Sequence, residues 1–395
     1  MGFREHMRGV MAEARSVRDS LTFGQEGDSV GPEKGYKLIR ERGQRWNEMV
    51  VEMGGLMADV MEGKRPDWHL KEAMTTSDFP LLFGDLLYRQ LQGNYRAFPS
   101  TISKWCSTRT VRDFRAVNLY TIDGGNGLLD QVAQRAPYPE TTFTEGKKAI
   151  QVYKYGRRYS ITFEMLINDD LQAFNDRPRF MAQAVRNSEE YAGTQMIADV
   201  NGPHASFFTA GNANIVTGNP ALSIVGLQTA YKVLSAMTDS EGMPISVNGV
   251  ILMVVPSLEI TAMNIMNAVN LDIRGESGGG TSEQFLNVQN WMRGRVQLVV
   301  NHFLPIVSTS ETTDNWFLIA SPGESRPAFH FARLRGHESP ELYVKDSNQL
   351  SLGGGMVDPA QGSFENDDID YKLRAFFGTL QGDPKMAVAS NGSGS

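Results

Sequence analysis

The longest apolar runs of this chain are short, and they limit what it can fold into. Val250 to Val255 is far shorter than the roughly 18 to 20 apolar residues that a membrane-spanning helix needs, so we expect no membrane span. A short apolar run that ends at Pro256 instead predicts a buried strand. A helix is predicted to follow over Leu258 to Val269, and Val296 to Val300 offers a second strand. This part of the chain therefore predicts an α+β module.

The clearest predicted helix runs from Arg177 to Val200, where apolar residues recur at spacings of three and four. Asn175 or Asp176 would cap it, Pro178 would lie in its first turn, and Gly202-Pro203 would end it. At 1.5 Å per residue, such a helix would be about 36 Å long. A helix of this length could support the whole fold.

Extended structure is predicted between Val111 and Phe163, which is rich in β-branched and aromatic residues. Pro137 and Pro139 remove two ladder donors, so Ala133 to Gly146 is expected to be a loop that protrudes from the core. Two strand-like pieces follow, with a kink or bulge expected between them at Gly156.

Further elements are predicted from the same periodicities. The first 78 residues contain two helix-like stretches, Phe3 to Leu21 and Tyr36 to Met61, and Ser223 to Met237 predicts an amphipathic helix. The remaining predicted strands are Trp316 to Ala320, Ala328 to Leu334, Leu342 to Lys345, Ile369 to Gly378 and Met386 to Ser390.

The charge balance and the cysteine content exclude some functions. With 38 basic and 45 acidic side chains the formal net charge is −7, which argues against a protein that binds by gripping phosphates. The single cysteine, Cys106, cannot form an internal disulfide, and this suits a reducing compartment. Arg4, Glu5 and Arg8, with no apolar run behind them, do not resemble a secretory signal.

Two short motifs partly match the patterns of catalytic or ligand sites. Gly275-Glu276-Ser277-Gly278-Gly279 matches the G-x-S-x-G pattern of hydrolases, but a helix-like run precedes it where a strand would be required. We interpret it as a glycine loop. Gly146-Lys147-Lys148 lacks the other residues of a phosphate loop.

Metal and cofactor sites are not expected. No two histidines have the i, i+4 spacing of a helical metal pair, and Cys106 has no neighbouring ligand. The acidic groups Asp169-Asp170 and Glu365 to Asp370 could hold a hard cation, but they lack the spacing of a calcium loop and favour solvated acidic turns. No catalytic residue is assigned.

Arg157-Arg158 lies among Tyr153, Tyr155 and Tyr159, a mixture found in nucleic-acid platforms. The same alternation fits a sheet face that packs against a neighbour, and we favour this second interpretation. Elements and loops that cannot bury their apolar residues within one subunit can bury them between subunits. Self-assembly is therefore the function that these residues favour.

The order of elements resembles the major capsid protein of tailed bacteriophages, a fold shared with encapsulins and with the herpesvirus capsid floor. The similarity runs from about residue 79 onward. Its most specific part is Val132 to Thr141, where Pro139-Glu140-Thr141 follows an Ala-containing turn. Ile161 to Asp170 is similar to the entrance of the family's spine helix, and Tyr371 to Gly378 is similar to one of its closing strands.

This resemblance implies an α+β fold with an N-terminal arm, an extended β-hairpin loop, a long spine helix, a peripheral domain and an axial domain. In the order of the chain, the implied segments are 1–78 for the arm, 79–121 for the start of the peripheral domain, 122–152 for the extended loop, 153–203 for the peripheral domain with the spine helix, 204–315 for the axial domain and 316–395 for the return strands.

The resemblance also implies a function, namely a shell of pentamers and hexamers that encloses double-stranded DNA in the virion after assembly in the host cytoplasm. The implied partners are further copies, a portal protein and possible scaffold or decoration proteins, with no cofactor, metal or membrane. The residues expected at subunit contacts are Arg135, Pro137, Tyr138, Pro139, Glu140, Lys147, Lys148, Arg157 and Arg158.

Some relatives join subunits by a Lys to Asn isopeptide bond, but the position of that lysine is Tyr138 here, so such a bond is not expected.

Two alternative functions stay open at this stage. An encapsulin-like compartment would use the same fold to enclose an enzyme. An enzyme built on the α/β unit of residues 250–300 belongs to a different class and would show a saturable pocket.

Overall fold

A computed structural model describes residues 79–123, 144–162, 171–268, 270–274, 285–310, 314–345 and 368–394, together with positions 55, 59, 64, 65, 131, 132, 134, 135 and 138. Most of the first 78 residues, most of the segment 124–143 and the glycine loop 275–280 therefore lie outside the described residues.

The described part of the chain mixes helices and strands, as predicted. Its α-helices are α1 (Phe79–Ala97), α2 (Ile102–Trp105), α3 (Leu171–Ile197), α4 (Ile224–Ser235), α5 (Glu259–Asn267) and α6 (Leu304–Val307). The strands in the first half are β1 (Ser107–Val111), β2 (Val117–Asp123), β3 (Thr144–Ile150), β4 (Tyr153–Thr162), β5 (Ala198–Asp199) and β6 (Gly202–Pro203). The later strands are β7 (Val250–Val254), β8 (Asn270–Arg274), β9 (Phe285–Gln289), β10 (Val296–Val300), β11 (Trp316–Ala320), β12 (Phe329–Leu334), β13 (Glu341–Val344), β14 (Asp368–Gln381) and β15 (Ala387–Ser390).

The chain divides into two compact units, each built from separated segments. The first unit takes the described residues within Met1–Pro99, Lys154–Asn187 and His337–Phe376. The second takes those within Ser100–Tyr153, Ser188–Gly336 and Phe377–Ser395. The division into an arm, a peripheral domain and an axial domain stays a prediction.

The second unit contains a four-stranded sheet in the order β10-β7-β11-β15. β10 pairs with β7 in parallel, and β11 runs antiparallel to both β7 and β15. Every residue of β7 and of β11 is buried, and each large aliphatic side chain buried in this way contributes about 1.5–3 kcal/mol. The predicted strands Val250 to Val255 and Val296 to Val300 are confirmed to within one residue.

Helices α4 and α5 supply side chains to the core of this sheet. Ser223 caps α4 by accepting a hydrogen bond from the backbone N–H of Gly226 at 3.1 Å. Leu227, Ala230 and Leu234 are buried, because their spacing places them on one side of the helix. The amphipathic helix predicted from Ser223 is therefore confirmed.

A second group of strands in the same unit joins distant parts of the chain. β1 pairs in parallel with β12, and β12 pairs antiparallel with residues 377–381 of β14. Trp105 packs edge to face on Phe329, with ring centroids 5.5 Å apart, and Phe331 stacks on Phe377. This packing leaves all four aromatic side chains buried.

The first unit contains β4, β13 and the beginning of β14. β13 pairs antiparallel with residues 371–374 of β14, and β4 also pairs with β14. Tyr371, Leu373 and Ala375 are buried. Helix α1 packs against β13, and the side chain of Gln92 donates a hydrogen bond to the carbonyl of Pro340 at 2.6 Å.

The long helix differs from its predicted bounds. It begins at Leu171 rather than Arg177 and ends at Ile197, so Pro178 lies inside it and not in its first turn. Pro178 is buried, as is Met181 one turn later, and it cannot donate a backbone hydrogen bond within the helix. Beyond Ile197, the chain turns back at Val200 and Asn201 so that β5 and β6 can pair.

The expected break at Gly156 is wrong, since β4 runs through it without interruption. A side chain at position 156 would place its Cβ 2.6 Å from the carbonyl oxygen of Leu373, so the glycine permits a close approach of two strands. The strand-like stretch breaks instead at Gln151 and Val152. The chain there crosses over Gly378, where an added Cβ would clash with the carbonyl oxygen of Gln151.

The helix predicted over Leu258 to Val269 is confirmed as α5. The expectation that no strand precedes Gly275 is wrong, because residues 270–274 form β8. The next described element is β9, which pairs antiparallel with β8. A nucleophile elbow requires a strand that leads into a helix. The G-x-S-x-G match therefore still lacks its structural context, although for a different reason from the one that the sequence suggested.

Candidate assembly surfaces

Strands β2 and β3 form a separate two-stranded ribbon in the second unit. Their register pairs Val117 with Ile150 and Tyr120 with Lys147. Alternate residues of a strand point to opposite sides, so the ribbon has an outer and an inner side. The two sides differ in exposure and in chemistry.

The outer side of the ribbon consists of Asn118, Tyr120, Lys147 and Ala149, which are all exposed. The side chain of Tyr120 is 66% exposed and lies opposite Lys147 across the two strands. A large aromatic side chain in this position buries little area within its own subunit. The outer side is therefore a surface that could bind another molecule.

The inner side anchors the ribbon to its own unit. Ile150 is buried, and the ammonium group of Lys148 donates hydrogen bonds to the backbone carbonyls of Gln381, at 3.1 Å, and Gly382. Burial lowers the pKa of Lys148 from its ordinary value, and the negative charge of Asp383 opposes this lowering. Lys147 and Lys148 were predicted together as contact residues, but the structure gives them different environments.

The other predicted contact residues of the second unit lie in the connection between β2 and β3. Arg135 is exposed and has a positive φ of 69°. Tyr138 is 85% exposed. Pro137, Pro139 and Glu140 lie outside the described residues. The described positions are thus available to a partner, and their role in a subunit contact remains a prediction.

Arg157 and Arg158 lie on β4 in the first unit, and both are exposed. The side chain of Arg158 makes an ion pair with Asp370, with 3.3 Å between Nε and Oδ1. Ser160 donates a hydrogen bond to the same oxygen at 2.7 Å, and the Nζ of Lys345 lies 3.6 Å from Oδ2. Asp370 is buried, so it is not the solvated acidic turn that the sequence suggested.

A second carboxylate organises the opposite end of the same sheet face. Glu341 accepts hydrogen bonds from Arg374 at 2.5 Å and from Tyr343 at 2.9 Å, and it also contacts His337. Burial would raise the pKa of Glu341, but the hydrogen bonds from His337, Arg374 and Tyr343 outweigh it and hold the pKa below its ordinary value. The guanidinium of Arg374 also stacks over the ring of Tyr343 at 4.4 Å.

A buried carboxylate that the sequence did not reveal connects two helices of the second unit. Glu190 on α3 accepts hydrogen bonds from Ser100, at 2.9 Å, and from the backbone and side chain of Thr101, at 2.7 and 2.5 Å. It thereby satisfies backbone donors at the start of α2, which helix geometry leaves free. No local pattern would have found this pairing, because the partners lie about ninety positions apart.

Neither a membrane-spanning helix nor a cluster of metal ligands occurs among the described residues. No helix in those ranges has both the length and the apolar composition needed to cross a bilayer. No group of three or more His, Cys, Asp or Glu side chains in the same ranges could hold a metal ion. Cys106 is buried, and burial raises the pKa of its thiol well above the ordinary value, which makes it a poor nucleophile.

A family model described as phage capsid protein matches residues 144–390 of the chain, which is more than half of its length. The chain belongs to this family. It is therefore a phage capsid shell protein, a structural subunit of a homo-oligomeric shell that is located in the virion capsid. This agrees with the function expected from the resemblance, and it places the chain among structural proteins.

Solved phage structures are similar to this capsid protein at low sequence identity. The capsid of Ralstonia phage GP4 is 11% identical, with 72% of this chain and 86% of that chain covered and a TM-score of 0.45. The capsid of cyanophage P-SCSP1u is 12% identical, with coverages of 74% and 87% and a TM-score of 0.41. A chain from Gordonia phage Cozz is 12% identical, with coverages of 74% and 88% and a TM-score of 0.40. No curated protein matches the chain.

Proposed function

We propose that this capsid protein assembles into pentamers and hexamers that form an icosahedral shell around double-stranded DNA, and that the β2–β3 ribbon contacts a neighbouring copy. The observation that carries the proposal is the exposed outer side of the ribbon. Tyr120 lies there, and Tyr138 is exposed in the connection between the strands. Aromatic side chains are enriched at protein interfaces, where they often supply much of the binding energy.

The proposed contact residues are those expected from the sequence, with Lys148 in a different role. Arg135, Pro137, Tyr138, Pro139, Glu140 and Lys147 would meet the neighbour. Lys148 would hold the base of the ribbon through its hydrogen bonds to Gln381 and Gly382. Arg157 and Arg158 would contribute to a contact of the first unit.

Weak contacts of this kind are enough for a shell. A stable protein interface buries about 1,600 Å² in total, and many copies of one contact in a closed particle add their effects. A portal protein and scaffold or decoration proteins are the further partners that we propose. The six-segment division into arm, peripheral and axial parts, with α3 as the spine helix, belongs to the same proposal.

Expression of the chain alone, followed by electron microscopy, tests self-assembly. Closed particles or sheets of capsomers are the expected result. A soluble small oligomer, both alone and with the scaffold protein encoded near the gene, would overturn the proposal. The change Tyr120→Ser should reduce the particle yield, while Gln195→Ser, an exposed position on α3, serves as the matched control.

The enclosed cargo is tested by extracting particles made in infected cells. Double-stranded DNA is the expected content. Since the net charge is −7, we expect the free subunit to bind DNA weakly, and a steep dependence of DNA affinity on salt would contradict this. An enzyme as the enclosed cargo would favour the encapsulin-like alternative.

A further inference from the structure

Strand β1 in the second unit has one edge that no described strand covers. β1 pairs in parallel with β12 on one side only. Because adjacent residues of a strand direct their backbone N–H and C=O groups to opposite sides, every second residue of β1 faces away from β12. Val111 faces β12, since its carbonyl accepts a hydrogen bond from the backbone N–H of Arg335 at 2.8 Å. Thr108 and Thr110 therefore face outward.

The outward side of Ser107–Val111, which we call the open edge, is accessible. Thr108, Arg109 and Thr110 are exposed. Within the described part of the chain, the backbone N–H and C=O groups of Thr108 and Thr110 have no hydrogen-bond partner. A row of unpaired backbone groups in strand geometry is a template for pairing with another strand.

The outer strands of the other sheet in this unit are covered. Helix α5 packs against β10. At β15, the backbone N–H of Val216 donates to the carbonyl of Ala389, and the N–H of Ala389 donates to the carbonyl of Asn214, both at 3.0 Å. Proteins commonly cover or blunt sheet edges, because an open edge invites unwanted pairing. The open edge of β1 departs from this rule, which points to a partner.

Three arginines lie at the open edge and just beyond it. Arg109 is in the middle of β1, and Arg112 and Arg115 follow in the exposed segment after the strand. None of the three makes an ion pair with a described residue. The acidic residue of this segment is Asp113, which accepts a hydrogen bond from the backbone N–H of Arg115 at 3.1 Å. The stretch 107–115 is therefore basic.

These charges select the kind of strand that can pair with β1. In an antiparallel pair of two β1 strands centred on Arg109, two guanidinium groups would lie opposite each other, which is destabilising. The β1 strand of a second copy is therefore disfavoured. An extended segment with acidic side chains at alternate positions would instead place carboxylates beside the arginines. Hydrogen bonds between arginine and carboxylate are stronger than those between neutral groups.

The residue types at this edge fit a protein partner better than nucleic acid. Arginine and aromatic side chains are enriched at protein interfaces, and Phe114, between Arg112 and Arg115, is 46% exposed. Phosphate groups only accept hydrogen bonds, so nucleic acid would leave the carbonyls of Thr108 and Thr110 unpaired. A strand supplies both donors and acceptors.

We propose that the open edge of β1 binds an extended acidic segment of a partner protein, which adds a strand beside β1. The backbone groups of Thr108 and Thr110 would pair with the segment, and Arg109 and Arg112 would bind its carboxylates. In recognition of this kind, main-chain hydrogen bonds give affinity and side chains give specificity. The proposal goes beyond shell assembly, and the soluble subunit tests it whether or not the chain forms particles.

Two peptides probe the open edge. The acidic probe is a labelled ten-residue peptide in which threonine and glutamate alternate, and the basic probe has lysine in place of glutamate. Fluorescence anisotropy measures their binding to the soluble subunit. We expect the acidic probe to bind at least about tenfold more tightly than the basic probe. Equal binding of the two probes, or no binding at millimolar peptide, would overturn the proposal.

A proline tests the backbone hydrogen bonds. Thr110→Pro removes an outward N–H group but leaves the pairing with β12 in place, because Arg109 and Val111 make those bonds. The matched control, Thr110→Val, retains the N–H group. We expect the proline variant to bind the acidic probe at least about tenfold more weakly than the control. Thermal unfolding verifies that both variants are folded, and equal binding by the two would contradict strand pairing.

Charge reversal tests the arginines. The variant Arg109→Glu with Arg112→Glu should reverse the preference, so that the basic probe binds more tightly than the acidic one. Its control is Lys232→Glu with Arg293→Glu, two exposed positions of the second unit that give the same change in net charge. The control should retain the preference for the acidic probe. If the two double variants behave alike, the arginines at the edge do not select the partner.

Hydrogen exchange of the wild-type subunit, resolved to single residues, tests the geometry without a substitution. In the free subunit we expect fast exchange at Thr108 and Thr110 and slow exchange at Arg109 and Val111, because only the latter bond to β12. The acidic probe should slow exchange at Thr108 and Thr110 at least about fivefold. A bound probe without this protection would mean that charge attracts it without strand pairing, and the proposal would be wrong.

Two other occupants of the edge are distinguishable outcomes. A DNA oligonucleotide that displaces the acidic probe but leaves Thr108 and Thr110 unprotected would assign the arginines to nucleic acid if the probe also fails to protect these residues. Loss of particles in Thr110→Pro, together with no binding of the acidic probe by wild type, would assign the edge to a second copy. Either result overturns the proposal.

Discussion

The ribbon β2–β3 and the sheet β10-β7-β11-β15 are both built from strands, yet they use their residues in opposite ways. All ten residues of β7 and β11 are buried, whereas Asn118, Tyr120, Lys147 and Ala149 on the outer side of the ribbon are all exposed. Burial of apolar area stabilises the fold of a subunit, while exposed aromatic and charged groups are available to a partner. The comparison therefore separates residues that hold the subunit together from residues that could join subunits.

The largest expected effect comes from the sheet. Leu252 in β7 is fully buried and belongs to the core formed with α4 and α5. We expect Leu252→Ala to lower the free energy of unfolding by about 2–5 kcal/mol, because it removes buried area and leaves a cavity. Chemical denaturation of the soluble subunit measures this. A loss smaller than that of Val225→Ala, an exposed position on α4, would contradict the assignment of this core.

The next effect concerns Glu190, which the structure shows to be a buried acceptor for Ser100 and Thr101. Replacing it by Ala leaves these donors without an acceptor, so we expect a loss of about 2–4 kcal/mol in the free energy of unfolding. The substitution Gln195→Ala on the exposed side of the same helix is the control. If the two variants unfold alike, the network does not stabilise the unit.

His330 provides a pH-dependent test. Burial, together with the positive charges of Arg109 and Lys148, lowers the pKa of His330 to about 4, from an ordinary value of 6.5. Between these pH values His330 is therefore protonated in the unfolded chain and neutral in the folded chain. The contribution of His330 to the free energy of unfolding is therefore fully present above pH 6.5. It decreases by about 2 kcal/mol as the pH falls towards 4.

Urea denaturation of wild type and His330→Gln at pH 7.5, 6.0 and 5.0 measures this dependence. We expect the wild type to lose stability over this range and the variant to lose less. Equal pH dependence would show that His330 is not the titrating group.

The smallest effect compares adjacent lysines of the ribbon. Lys148→Met removes the hydrogen bonds to Gln381 and Gly382, so we expect it to lower the free energy of unfolding by about 1–2 kcal/mol. Lys147→Met should change it by less than about 0.5 kcal/mol but reduce particle yield. Thermal unfolding and sedimentation measure the two properties. A reversed order of stabilities would contradict the inner and outer assignment of the ribbon.

Most strands and helices of the described region could be predicted from periodicity. The apolar run Val250 to Val255 and the amphipathic run after Ser223 were identified because burial alone determines their patterns. The position of β4 could not be predicted in this way. Gly156 signals a break when only its neighbours in sequence are considered, but the structure uses it for a close approach to Leu373.

The candidate surfaces were predictable only in part. The spacing of Pro137 and Pro139 predicts a protruding loop, and Tyr138 between them is exposed. Lys147 and Lys148 have different environments because adjacent residues of β3 point to opposite sides of the ribbon, but the lysine pair does not encode which side faces its own unit. The ion pair between Arg158 on β4 and Asp370 on β14 joins residues more than two hundred positions apart in sequence, and so it emerges only from the fold.

The parallel pairing of β1 with β12 has a consequence for the order of events during synthesis. It joins Ser107 to His330 and Val111 to Leu334, so the second unit cannot close until more than two hundred further residues have left the ribosome. Long-range pairing of this kind slows folding. The ribbon at residues 117–150 is thus translated long before its unit is complete. Because the unit closes late, we expect nascent chains not to join a growing particle before they can pack correctly.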